Sequence, residues 1–218
     1  MSEMKVFRFD VDEDYAKQHN ELLRDTRYLV WSGIALFVLS VAAGIAVWFV
    51  VSPDSPWRVL GSLGLILFGV MMLIVGLLIP RSVGSAQSLY SAHPLAPAIV
   101  AERGATDYTL LALVNGNVDP DAPPAWALTA RTVRSLPHTD GVVGTKVPVA
   151  AVGGQRSIHD TSRWQMITPM PIAWGTADPA VVDAARAAVP RDQWHLLEKG
   201  RARLAEIKEA KNSLVFIG

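Results

Sequence analysis

Residues 28–51 read YLVWSGIALFVLSVAAGIAVWFVV, and after the five residues SPDSP (52–56) the chain resumes at 57–79 as WRVLGSLGLILFGVMMLIVGLLI. The first run has 24 residues and no charge, and at ~1.5 Å per residue a helix of that length crosses a hydrocarbon core of ~30 Å with some tilt. The second carries only Arg58, one residue from its end, where a long side chain reaches the headgroups. Two prolines and an aspartate in the connection leave room only for a tight turn, so the two helices are expected as an antiparallel transmembrane hairpin. Trp48 and Trp57 flank that turn and Tyr28 and Trp31 mark the opposite end, the positions where amphipathic rings settle at a membrane interface.

A cleaved signal peptide would show a basic leader and an apolar run of about 7–15 residues. The acidic arm and the length of the first run argue for an anchor instead. Lys17, Arg24 and Arg27 precede the first span and Arg81 follows the second, whereas the turn side offers only Arg58. That asymmetry predicts a two-pass cell-membrane protein with both termini cytoplasmic.

Small residues recur along both runs: Gly33, Ser40 and Gly44 on the first, Ser62, Gly69 and Gly76 on the second. Such positions let backbones approach closely in lipid. They are expected to pack helices, either by holding the hairpin together or by docking it onto other membrane helices. Neither span has an internal Asp, Glu, Lys, His or Asn, which argues against an ion path or transport site.

Outside the hairpin the chain divides into an N-terminal arm (1–27), a linker (81–97) and a cytoplasmic domain (98–218). The arm opens on MKVFRFDV, expected as a short strand over Val6–Phe9, and continues as a juxtamembrane helix that Asp12 or Asp14 can cap. Its acidic cluster, Asp10, Asp12, Glu13 and Asp14, suits a solvated helix start. The linker RSVGSAQSLYSAHPLAP is small, polar and proline-containing. Beyond it, β-like runs at 98–102, 108–114, 125–135, 146–152 and 164–174 are separated by turn chemistry, Asn115-Gly116 among it. Prolines at 148, 169 and 171 confine strands to edges, bulges or irregular segments, which favours a small barrel or strongly bent sheet. Asp178-Pro179 starts a helix to about Val189, a second is expected over 191–211, and LVFI (214–217) closes as a strand. The fold class is therefore α+β: a hairpin, then a small bent sheet with a packed helical pair.

Net charge is zero, with 20 Lys and Arg against 20 Asp and Glu, and neither arm nor tail has the dense basic patch that nucleic acid requires. With no cysteine, thiolate chemistry, iron–sulfur clusters and Cys-based zinc sites are excluded. Phosphate-loop, GxGxxG, GxSxG and HExxH signatures are absent. His138 stands near Asp140, and His159 adjoins Asp160 with Ser157 close by, but these are loop neighbours, whereas triads are assembled from separate elements, and no pair has helical ligand spacing. No catalytic, cofactor or metal residue is assigned, and the chain is expected not to be an enzyme. Trp126, Trp164, Trp174 and Trp194 are explained most simply by packing. The segment PMPIAWGT (169–176) suggests a partner surface built from Pro169, Pro171 and Trp174, provided that Trp174 is exposed.

The two spans with their five-residue turn, followed by TKVPVAAVGG, RWQMITPMPIAWGT and a terminal helix pair, make the chain resemble two-span membrane proteins of corynebacteria and related actinobacteria. That group assigns no catalytic residues. The resemblance implies a small accessory protein, similar in type to the accessory subunits of the actinobacterial respiratory complex III–IV supercomplex. The expected partners are the lipid bilayer and other integral membrane subunits, and the expected function is a non-enzymatic accessory or scaffold subunit. A membrane-tethered sensor or ligand-binding module is the alternative.

Overall fold

The computed structural model describes residues 3–119, 122–154, 156 and 161–217. The residues fall into two units, one formed by residues 1–20 with 85–218 and the other by residues 21–84. The apolar hairpin is thus an excursion from a folded body that begins before it and is completed after it.

The hairpin consists of α2 (Glu21–Val50) and α3 (Pro56–Val83). Both are long and apolar enough to cross a membrane, over Glu21–Val50 and Pro56–Leu78. Helix α2 starts seven residues before the uncharged run, since nothing in ELLRDTR opposes a helix. Pro56 occupies the first turn of α3, where its missing N–H costs no hydrogen bond. At the turn, Arg58 Nε donates to the Trp48 carbonyl at 2.8 Å and the guanidinium lies 4.6 Å over the Trp48 ring. It thereby satisfies one of the last carbonyls of α2, which have no partner within their own helix.

The body opens with α1 (Glu13–His19), capped by Asp12, whose carboxylate accepts from the N–H groups of Asp14 and Tyr15. After the hairpin come α4 (Ala86–Ala92) and the strands β1 (Leu95–Arg103), β2 (Tyr108–Asn115), β3 (Trp126–Val133), β4 (Lys146–Gly153) and β5 (Ile167–Pro171). Helices α5 (Pro179–Ala188), α6 (Arg191–Gly200) and α7 (Leu204–Glu209) follow, and β6 (Leu214–Phe216) closes the sheet. All neighbours are antiparallel, in the order β5-β4-β1-β2-β3-β6.

Three strands separate β5 from β3 in that order, yet Thr129 Oγ1 on β3 donates to the Ile167 carbonyl on β5 at 3.2 Å. Only a sheet curled into a half-barrel brings those strands together. A register shift in β1 between Val100 and Glu102 contributes to the bend. Because α5, α6 and α7 cover one face and the curl covers the other, β1, β2 and β4 are buried in unbroken runs. This is why YTLLALV and VPVAAV are continuously apolar where a one-faced strand would alternate. Pro97 pairs with Pro148 across β1 and β4, each just outside the next ladder, so neither missing donor is needed.

Several expectations need correction. The segment 6–9 forms no strand; it is held by Leu95 N donating to Lys5 O at 2.8 Å and by a side chain described below. The stretch 81–97 is structured, carrying α4 and the start of β1 at Leu95. The helix expected over 191–211 breaks after Gly200 into a 3-10 turn and then α7. A straight helix cannot follow a curled sheet; the break lets both Leu197 and Ile207 reach full burial. Gly200 itself lies against β3, where a Cβ would stand 2.5 Å from Leu128 Cδ1.

Candidate functional site

The six small residues of the hairpin meet one another. A Cβ on Gly33 would stand 3.2 Å from Gly76 Cα, one on Gly69 3.0 Å from Ser40 Cβ, and one on Gly44 2.9 Å from Ser62 O. These three tiers form the seam between α2 and α3, and all six residues are buried there. The small faces are consumed by the hairpin's own closure. What remains outward is large and apolar, with Leu39 66% and Phe49 80% exposed.

Trp174 is not a surface. It is fully buried, its Nε1–H donates to the Ser135 carbonyl at 2.8 Å, and the Arg131 guanidinium lies 5.4 Å over its ring. Pro169 and Pro171 are buried as well. The partner surface expected from these three residues is therefore overturned: the curl of the sheet turns β5 and the following 3-10 turn inward.

The arm is bound to the body by Gln87. Its Oε1 accepts from Val11 N at 2.9 Å, its Nε2 donates to Phe9 O at 3.1 Å, and its own N–H donates to Glu13 Oε1 at 3.0 Å. Asp12 N also donates to Gly175 O at 2.9 Å, and Phe9 meets the Tyr90 ring edge-on with centroids 5.1 Å apart. Tyr90 donates to Pro171 O at 2.7 Å, and its burial pushes the phenol far above its ordinary range.

The body carries an open groove of about 750 Å³ whose walls include Trp126, Trp164, Asn115, Asn117, His93 and Met4. The Asn115 side chain organises its floor by accepting from Asn117 N at 3.0 Å and Ala125 N at 3.1 Å. The Asn115-Gly116 connection uses no positive φ at either residue. The glycine is needed because the Phe216 ring lies directly on it. The Arg156 guanidinium backs Trp164 at 5.3 Å. Aromatic walls and amide groups suit recognition of a ligand or a peptide segment.

Among the described residues there is no group of three His, Asp or Glu side chains placed to hold a metal ion. Among the described residues no carboxylate meets His138: its Nε2 lies 3.2 Å from Thr176 O and 3.4 Å from Tyr15 Oη. A carbonyl only accepts, so Nε2 carries the proton in that bond. Burial, followed by the nearby Asp12 charge, raises the Tyr15 phenol pKa. Ser157, His159 and Asp160 lie outside the described residues.

Fold and seam together define a class: an α+β half-barrel interrupted, near its start, by an apolar helical hairpin. Residues 81–205 match the family described as a protein of unknown function, DUF3239, and the chain belongs to that family. It is also similar to a crystal structure of a candidate membrane protein from Corynebacterium diphtheriae. The two are 42% identical with a TM-score of 0.54, over 56% of this chain and 99% of that one. No curated protein matches.

Proposed function

We propose that this protein is a non-enzymatic accessory or scaffold subunit of a membrane assembly, a two-pass protein with both ends of the chain in the cytoplasm. One observation carries the reading: residues 1–20 and 85–218 build one body, so the chain must return to the side of the membrane it left. The body is then anchored by two covalent connections, where a flexible linker would have allowed only one. Lipid accounts for the exposed Leu39 and Phe49, since an apolar surface of this extent is not left in water. Lys17, Arg24 and Arg27 next to the first span favour the cytoplasmic side for the body.

The test is affinity purification of the intact protein from its native membrane, with native mass measurement and with topology reporters fused at each end. A defined stoichiometric membrane partner and two cytoplasmic reporters are expected. In its finer form the proposal places the protein on the respiratory complex III–IV supercomplex, whose subunits would then be that partner. A lone monodisperse monomer, or a reporter active outside the cell, would overturn it. The groove between Trp126 and Trp164 favours a second reading, a tethered ligand-binding module, because its volume suits a small molecule. That reading requires Trp164→Ala to abolish a ligand-induced change in tryptophan fluorescence.

A further inference from the structure

Outside the hairpin, the two most exposed large apolar side chains among the described residues are neighbours: Val142 at 55% and Val143 at 42%. They form the tip of the loop from His138 to Thr145, and the backbone fixes them there. Gly144 N donates to Val100 O at 2.7 Å, Val100 N to Thr145 O at 3.0 Å, and Thr145 N to Val142 O at 3.0 Å. Gly141 and Gly144 sit at φ of 61° and 94°, which other residues rarely adopt, and the Tyr108 ring lies against Gly141. A loop so braced cannot fold its valines back into the core, so their exposure is built in.

Cations surround the tip. Arg103 Nη1 donates to Asp140 O at 3.4 Å, and Arg201 Nη1 lies 4.0 Å from where a Cβ on Gly144 would stand. Asp140 is the loop's own carboxylate. The loop's base, His138, stacks near Tyr15 with ring centroids 6.4 Å apart, five residues before the body gives way to the hairpin at Asn20.

We infer that Val142 and Val143 dip into the headgroup boundary of the bilayer that holds the hairpin, with Arg103 and Arg201 meeting anionic lipid phosphates. Two aliphatic side chains and two cations bind a membrane weakly on their own. On a body already tethered to that membrane they act at high effective concentration and fix its orientation. The inference rests on the membrane reading above, and its test separates the two.

The chain has no cysteine, so single-cysteine labelling is clean. The full-length variants Val143→Cys, Leu67→Cys and Ala187→Cys are labelled with an environment-sensitive fluorophore. Each is reconstituted in phosphatidylcholine nanodiscs with and without phosphatidylglycerol, doped with lipid brominated near the headgroup or near the chain centre. Position 67 should be quenched by chain-centre bromine and position 187 by neither. Position 143 should be quenched several-fold more by headgroup-proximal bromine than position 187 is, with the excess rising with phosphatidylglycerol and falling in an Arg103→Gln, Arg201→Gln background. If position 67 is quenched while 143 behaves like 187, the loop inference fails and the membrane reading stands. A blue shift at 143 without lipid quenching means that a protein surface covers the tip and also overturns it. If position 67 itself is not quenched, both fail.

Discussion

Replacing Trp174 with alanine decides whether the segment 169–176 is core or surface. The side chain is fully buried, donates one hydrogen bond to Ser135 O and lies under the Arg131 guanidinium. Truncating a buried tryptophan typically costs about 3–5 kcal/mol. At ~2–4 °C per kcal/mol for a chain of this size, the unfolding midpoint should fall by roughly 6–20 °C. Trp174→Phe keeps most of the apolar volume but loses the hydrogen bond that Nε1 donates, for about 1–2 kcal/mol. The order wild type, Phe, Ala is therefore required. The assay is thermal unfolding of the full chain in nanodiscs, followed by the near-ultraviolet signal of the folded body. A Trp174→Ala protein that melts with the wild type but loses a partner would refute the burial argument and restore the surface reading.

At the hairpin seam, Gly33→Val or Gly76→Val overpacks a backbone contact and should weaken the helix pair by about 1–3 kcal/mol. Gly64→Val, where an added Cβ meets nothing within 4 Å, should leave interhelical energy transfer in a detergent titration unchanged. Gln87→Ala removes two side-chain links to the arm; amide exchange over residues 9–12 should accelerate at least several-fold while β2 stays protected. The hydrogen bond from Lys208, 2.8 Å away, holds the Glu102 carboxyl below its ordinary pKa of 4.5. A lowered folded pKa gives stability that is complete above the ordinary value and lost as pH falls through the folded one. Lys208→Met should therefore melt earlier than wild type near neutral pH and converge with it in acid, by a small margin because both groups are exposed. Equal melting offsets at both pH values would contradict the assignment.

The hairpin was legible because absence of charge over 24 residues has few physical explanations, and its seam because glycine and serine stand out against leucine and valine. The bent sheet was legible from Pro148, Pro169 and Pro171, whose missing donors forbid a long flat ladder. The arm was not. It is held mainly by one glutamine bonding to backbone, and Gln87, the second residue of AQSLYSA, carries no hydrophobic period that would betray such a role. Trp174 was misread for a related reason: whether a tryptophan near an edge strand faces inward depends on how far the sheet curls, which no local pattern encodes. Gly116 was placed in the right connection for the wrong cause, since the ring that demands it arrives from residue 216. In the DGVVGT loop the signal was present, two β-branched apolar residues between glycines in a polar stretch, but exposure had to be seen.

Placing a hairpin of 64 residues inside the body has an energetic consequence. Closing a flexible loop of that length costs about 1.6 kcal/mol more than closing one of ten residues, because the cost grows as (3/2)RT ln n. The seam removes most of that penalty: with Gly33 held on Gly76, the chain's exit and return are brought near each other before the arm docks. Hairpin closure and arm docking must therefore be coupled, by up to about that amount. Coupling of this kind is reciprocal. Opening the seam with Gly33→Val should loosen the arm's amide protection, and loosening the arm with Gln87→Ala should weaken the seam by the same free energy, although the two changes touch no common side chain. The double variant measures it directly as a departure from additivity. Strict additivity would mean that the ends of the hairpin are held together by something other than its seam, and the bilayer itself would then be the agent to examine.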